Sequence, residues 1–238
     1  MKRLGVNIDH IATIRNARGE DHPNIYKAAK YVLNCGANSI TIHLREDRRH
    51  IKDIDLKKIS LNKNIPLNLE LAANNRMLNI ALKNKPNYIC FVPEKRNEIT
   101  TEGGLNLKKN IKNLKSIVKI VKENKIRTSL FINPNLNDIK LSKYIGTDCI
   151  ELHTGKISRL IKSNKNIKTE YAKIKKCSKL ANKLGLDVHA GHGMDYNTAK
   201  LLSKINEIKE FNIGHFIIGE SIFFGLKRTI KNFLKICK

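Results

Sequence analysis

Four short segments carry polar or ionisable side chains at every second position: Asn7 and Asp9; Thr41, His43 and Arg45; Asn68 and Glu70; Glu151 and His153. Histidine and carboxylate are the groups that take up and return protons near neutral pH. Arginine is the cation that grips phosphates. Glu70 lies between two leucines in "NLEL", in phase with Asn68 and with no cation adjacent in sequence. Burial there disfavours its charged form, which suits it to exchange a proton near neutral pH.

Strands must position these groups. Alternation puts each set on one strand face, so the interleaved Ile8, Ile42, Leu44, Leu69 and Leu152 face the other way, toward helices. Strand patterns recur at 4–9, 39–44, 66–71, 88–93, 127–132, 149–154, 186–191 and 211–216. Helical patterns lie between and after them, among them 24–34, 76–84, 106–124, 135–144, 169–184, 196–204 and 221–236. Eight strands alternating with helices imply parallel pairing through crossovers. In 238 residues without a linker-like stretch, the expected fold is a (β/α)8 TIM barrel forming one domain over 1–238. An open doubly wound sheet would want GxGxxG after its first strand, where this chain has "NIDHIATIRNARG". In the barrel the polar sets point to the axis near the carboxyl ends of the strands, where barrel active sites are built. Burying them unpaired costs several kcal/mol each, so they satisfy one another or a ligand.

The remaining features narrow the ligand. All histidines except His22 fall on predicted strand ends or in "LREDRRH", and none is expected on a helix. Arg15, Arg18, Arg45, Arg48, Arg49 and Arg96 follow predicted strands, and "EDRRH" reads as a loop supplying cations at the cavity rim. "AGHGMD" and "NIGHFIIGES" are glycine turns after the last two strands, where barrels hold phosphates on backbone N–H groups. Arginines on one side and glycine turns on the other suit a substrate, or substrates, with two anionic ends. "TTEGGLN" reads as a glycine-hinged lid over 94–106.

Composition excludes other classes. The net charge of +25 comes mostly from lysines spread along helices, and with no tryptophan and 5% aromatics there are few platforms for stacking bases. A solvated lysine surface is expected, with no specific nucleic-acid partner. No apolar run is long enough for a membrane span and "MKRLGVNIDH" lacks a signal-peptide core, so a cytoplasmic location is expected. The five cysteines are widely spaced without a CxxC pair; they are expected to be buried hydrophobes, with no metal site. A Schiff-base aldolase would want a lysine inside a strand, and the polar sets contain none.

Read together, "GVNIDHIATIRNARG", "TIHLREDRRHI", "NLELA", "VPEKRNEITTEGGL", "IELHTG", "AGHG" and "NIGH" resemble the pyridoxine 5′-phosphate synthase family, in order from residue 5 to 215. The resemblance implies a barrel with extra helices, commonly assembled as a homo-octamer. It also implies a reaction joining two small phosphorylated substrates, 3-amino-2-oxopropyl phosphate and 1-deoxy-D-xylulose 5-phosphate, with no cofactor and no metal. It implies that His43 and Glu70 are an acid/base pair, His192 a proton donor and Glu151 a transition-state-stabilising carboxylate. Asp9, His10, Arg45, His50 and Thr100 would contact the xylulose phosphate. Asn7, Gly193, Gly214 and His215 would contact the amino ketone, and Arg18 would be a further ligand contact. Two positions depart from the family pattern: His189 stands where Asn is expected before "AGHG", and Glu220 where Arg is common after "IIG".

Overall fold

The computed structural model describes residues 1–94 and 103–238. Eight parallel strands close a barrel in chain order: β1 (Arg3–Asn7), β2 (Ser39–His43), β3 (Leu67–Ala72), β4 (Tyr88–Val92), β5 (Arg127–Ile132), β6 (Cys149–His153), β7 (Asp187–Gly191) and β8 (Ile208–Ile213). β1 pairs with both β2 and β8, which closes the ring. Helices α1 (Asp9–Arg18) and α2 (Ile25–Asn34) follow β1; α3 (Asp53–Leu61), α4 (Asn75–Asn84), α5 (Leu107–Glu123) and α6 (Leu136–Ile145) follow the next four strands singly. α7 (Gly155–Lys162) and α8 (Lys168–Lys183) follow β6, α9 (Tyr196–Ser203) follows β7, and α10 (His215–Phe224) and α11 (Leu226–Cys237) follow β8. The additional helices of the expectation are thus the second members of the pairs after β1, β6 and β8.

The core lies between strands and helices. Leu4, Val6, Ile40, Ile42, Leu69, Ile89, Leu130, Ile150, Leu152 and Val188 are buried on the outer strand faces. Each such side chain contributes roughly 1.5–3 kcal/mol on leaving water. α5 shows how a helix covers them: Leu107, Leu114, Ile117, Val118 and Val121 are buried, whereas Lys108, Lys109, Lys112, Lys115 and Lys119 are exposed. Lysines 173, 175, 176 and 179 are exposed along α8 in the same way. All five cysteines are free and buried.

The inner faces are polar, as alternation demands. Asn68, Glu151, His189 and Glu210 line a cavity of about 250 Å³ inside the barrel, with Arg3 and Arg127 at its amino-terminal end. Cys90, Val92 and Phe131 form a small apolar island on the same inner surface.

Several boundaries differ from expectation. The first strand stops at Asn7, and Asp9 opens a helix because the Asn7 side chain accepts from the Asp9 backbone N–H at 2.9 Å and turns the chain. The last strand begins earlier, at Ile208, and ends before Gly214. The helix expected over 221–236 is two helices, because Gly225 takes a left-handed φ of 78° between Phe224 and Leu226. Consequently His10 and His215 sit on the first turns of helices, against the expectation that no histidine would be helical.

Candidate active site

At the carboxyl end of the barrel the side chains interlock. Asp9 accepts from the His43 backbone N–H through Oδ1 and from Asn7 Nδ2 through Oδ2, each at 2.9 Å. The Asp9–Asn7 exchange holds the carboxylate over the end of β2. His50 Nδ1 lies 3.9 Å from Asp9 Oδ1 and accepts from the Ile51 backbone N–H. Burial pushes His50 below the usual histidine value, Asp9 opposes this, and the nearby His43, Arg45 and His10 lower it further.

His43 is the hub. Its Nδ1 faces Glu70 Oε2 at 4.0 Å and its Nε2 is 2.9 Å from Glu94 Oε1. Glu94 Oε2 also accepts from the Glu46 backbone N–H at 2.9 Å. Burial, followed by the carboxylates of Glu151 and Asp9, pushes Glu70 well above the usual carboxylate range. Its charged form is therefore disfavoured in the cavity. One ligand atom each of Asp9, His43 and Glu70 lies within 4.8 Å of the others, a set that could share a cation.

Across the barrel Glu151 accepts from Asn212 Nδ2 at 2.7 Å. Burial raises it despite that hydrogen bond, and the carboxylate of Glu210 adds to the effect, giving about 8. Gly191 must be glycine here, since a Cβ would stand 2.1 Å from Glu151 Oε1. The chain then turns through His192 and Gly193, with φ of 72° and 73°. Thr154 Oγ1 fixes that turn from 2.8 and 2.7 Å off the carbonyls of Gly191 and His192. The His192 ring lies over that of His153 with centroids 4.8 Å apart, and Phe131 meets His153 edge-on. Burial, then the charges of His192 and Arg159, lowers His153 to about 4.

The third wall joins β1 and β8. Gly214 abuts the Asn7 side chain, with an added Cβ only 3.0 Å from Asn7 Cβ, and the rings of His10 and His215 meet at 4.8 Å. Asn7, Asp9, His10, His43, His50, Glu70, Gly214 and His215 are therefore linked by direct contacts. Glu151 is tied through Asn212 to β2, where Thr41 Oγ1 donates to Asn212 Oδ1 at 3.5 Å.

Other expected residues lie elsewhere. Arg18 is at the far end of α1, about 13 Å along the helix from Asp9, with its side chain 77% exposed and paired to Glu20. Thr100, Arg96 and most of the 94–106 segment fall outside the described residues. Of the rim arginines only Arg45 is buried; Arg48 pairs with Asp53 and Arg49 with Asp47, because acids two to five residues away reach them first. Arg15 points away from the cavity into a buried ion pair with Asp55 at 2.6 Å. His189 lies one strand position pair below Gly191 and is engaged by Glu210 at 3.6 Å and Arg3 at 3.4 Å rather than by His192. Glu220 is half-buried in the second turn of α10.

Glu94 and Asn212 were not singled out from sequence. Asn212 has the right phase on β8, two positions before Gly214, and could have been found from it. Glu94 stands two positions beyond the end of β4, in phase with Cys90 and Val92, whose apolar side chains offered no polar series to extend.

Comparisons with known proteins place the chain in a family. Residues 4–238 match the family model described as "Pyridoxal phosphate biosynthesis protein PdxJ". The chain is 64% identical over 236 residues to the pyridoxine 5′-phosphate synthase of Pelagibacter ubique, covering 99% of each chain. It is 49% identical to that of Zymomonas mobilis, covering 96% of this chain and 89% of the relative. Among solved structures, 3-keto-L-gulonate-6-phosphate decarboxylase from Vibrio cholerae superposes with a TM-score of 0.68 at 13% identity, covering 100% and 98% of the two chains, a likeness of fold. With a family model spanning all but its first three residues and relatives this similar over their full length, the chain belongs to the PdxJ family of pyridoxal phosphate biosynthesis proteins.

Proposed function

We infer that this chain is a ring-closing pyridoxine 5′-phosphate synthase of vitamin B6 biosynthesis, joining 3-amino-2-oxopropyl phosphate to 1-deoxy-D-xylulose 5-phosphate and releasing phosphate and water. The observation that carries this reading is Glu70, its charged form disfavoured by burial, facing His43 Nδ1 at 4.0 Å beneath the Asp9 carboxylate. The reaction adds an amine to a ketone, expels water, eliminates phosphate and closes a ring by an aldol-like step. Every stage moves a proton.

Glu70 as an acid can protonate an oxygen that leaves as water, and His43 can take the proton that the attacking amine gives up. They then exchange protons for the next step, each contributing roughly 10²–10⁴-fold. Glu151, protonated up to about pH 8, can donate a hydrogen bond to an oxygen that gains charge. His192 is the second proton donor, aimed from the opposite wall by its left-handed backbone. Asp9, His10, Arg45, His50 and Thr100 take the xylulose phosphate. Asn7, Gly193, Gly214 and His215 take the amino ketone, whose phosphate is served by the N-terminus of α10, where no side chain caps the first turn. Arg18, exposed at the end of α1, is a further ligand contact.

We further propose that 1–238 works as one domain, supported by the β1–β8 pairing that joins the two ends of the chain in a single barrel. No helix among the described residues is long and apolar enough to cross a membrane, which agrees with a cytoplasmic setting. Self-association as a homo-octamer is supported by Ile222 and Phe223, 73% and 80% exposed at the end of α10. Light scattering reads the assembly directly. Incubating the chain with both phosphates and following the pyridoxine chromophore tests the function; inorganic phosphate release without the chromophore would contradict it.

A further inference from the structure

His43 has two ring nitrogens, and the structure gives them different neighbours. Nε2 is 2.9 Å from Glu94 Oε1, while Nδ1 looks into the cavity toward Glu70. The Glu94 side chain is only 5% exposed and its other oxygen is occupied by the Glu46 N–H, so the carboxylate is held on both sides. Burial would raise Glu94, but the hydrogen bond and charge of His43, then the Glu46 N–H and the Arg45 charge, outweigh it and leave Glu94 below its usual value. An ionised carboxylate has lone pairs only. The hydrogen of a neutral His43 ring therefore sits on Nε2, and the free lone pair is on Nδ1.

We propose that Glu94 is a positioning residue that fixes the His43 tautomer, so that Nδ1 alone exchanges protons with the substrate and with Glu70. The inference rests on the acid/base reading of His43 and Glu70. When Nδ1 takes a proton from the substrate amine, the ring becomes imidazolium, and its Nε2–H remains bonded to a negative partner. The positive charge thus forms beside a carboxylate already in place. When Nδ1 passes that proton on, to an ionised Glu70 or to a leaving oxygen, the ring returns to the same tautomer. The geometry has the logic of a carboxylate–histidine pair in hydrolases, where the buried acid orients the ring and stays ionised. Here the acid comes from the loop after β4 and its partner His43 stands 51 residues earlier, which explains why only the folded barrel reveals it.

The test uses the full-length chain labelled with ¹⁵N-histidine, assigned by comparison with His43→Asn, at a pH where the ring is neutral. Wild type should show Nδ1 of His43 as the unprotonated nitrogen. Glu94→Gln keeps an acceptor oxygen without its charge and should keep the tautomer, with kcat reduced. Glu94→Leu should give a mixture of tautomers and lower kcat by roughly 10²-fold or more, with KM for either substrate changed less than about threefold. Wild-type His43 protonated on Nδ1, or a folded Glu94→Leu variant with unchanged tautomer or unchanged kcat, would overturn the proposal. A parallel loss in KM alone would also do so, since it would make Glu94 a binding residue. The underlying acid/base reading fails separately, if His43→Asn turns over at the wild-type rate whatever the tautomer.

Discussion

Asn212 donates from Nδ2 to Glu151 Oε2 at 2.7 Å across the inner face of the barrel, joining β8 to β6 over the intervening β7. Both residues are buried, and the hydrogen bond does not offset the burial that raises Glu151 to about 8. Between its ordinary value of 4.5 and about 8, the folded chain holds a proton that the unfolded chain has released. This contribution to stability is complete below that window and is lost as pH rises through it. Glu151→Gln keeps the acceptor and removes the titration. Its melting temperature should therefore gain on wild type as pH rises across the window, as calorimetry on either side of it would show. Parallel curves would mean that Glu151 is ionised in the folded protein.

Glu70→Gln should reduce kcat by roughly 10²-fold or more, because Gln preserves shape and hydrogen bonding but cannot carry a proton to His43. Binding of both phosphates, read by titration calorimetry, should persist and the fold should be intact. Turnover near the wild-type rate would make Glu70 a structural member of the polar network.

Arg45 is 3% exposed beyond the end of β2, with Asp47 3.5 Å from its Nε. Arg45→Ala should raise KM for 1-deoxy-D-xylulose 5-phosphate far more than for 3-amino-2-oxopropyl phosphate. Steady-state kinetics with each substrate varied in turn distinguishes this from an equal effect on both, which would contradict separate phosphate pockets.

Arg15 forms two hydrogen bonds to Asp55, at 2.6 and 2.9 Å, and a third to the His50 carbonyl. Both side chains are under a tenth exposed. Arg15→Met should cost about 3–5 kcal/mol, because it leaves the Asp55 charge buried without its partner. Urea unfolding would measure the loss; a midpoint like that of wild type would show that Asp55 finds another cation.

Alternation made the strand-borne half of the site legible. Thr41 with His43, Asn68 with Glu70 and Glu151 with His153 share a face because the strand period is two, a property of neighbours in the chain. The same reasoning placed Ile42, Leu69 and Leu152 against helices. It carried Asp9 into a strand because nothing in "NIDHIATIRNAR" marks where a side chain will cap the backbone and begin a helix. It could not place Arg15 or Glu94. Their partners, Asp55 and His43, are 40 and 51 residues away, and such contacts depend on barrel closure and register. Arg48 and Arg49 misled for a related reason, as a cation's nearest acid is a local fact that its spacing from a strand does not reveal.

The exposed lysines of α5 and α8 touch no residue of the site, yet they bear on how it is reached. A chain of net charge +25 surrounds its molecule with positive potential, while burial pushes Glu70 and Glu151 in the cavity toward their uncharged forms. A dianionic phosphate is drawn from a distance by that field before any specific contact forms. The pull reaches only about 8–10 Å at ordinary salt. Capture of both substrates should thus slow with ionic strength, while the chemistry after capture, among buried carboxyls and held imidazoles, should not.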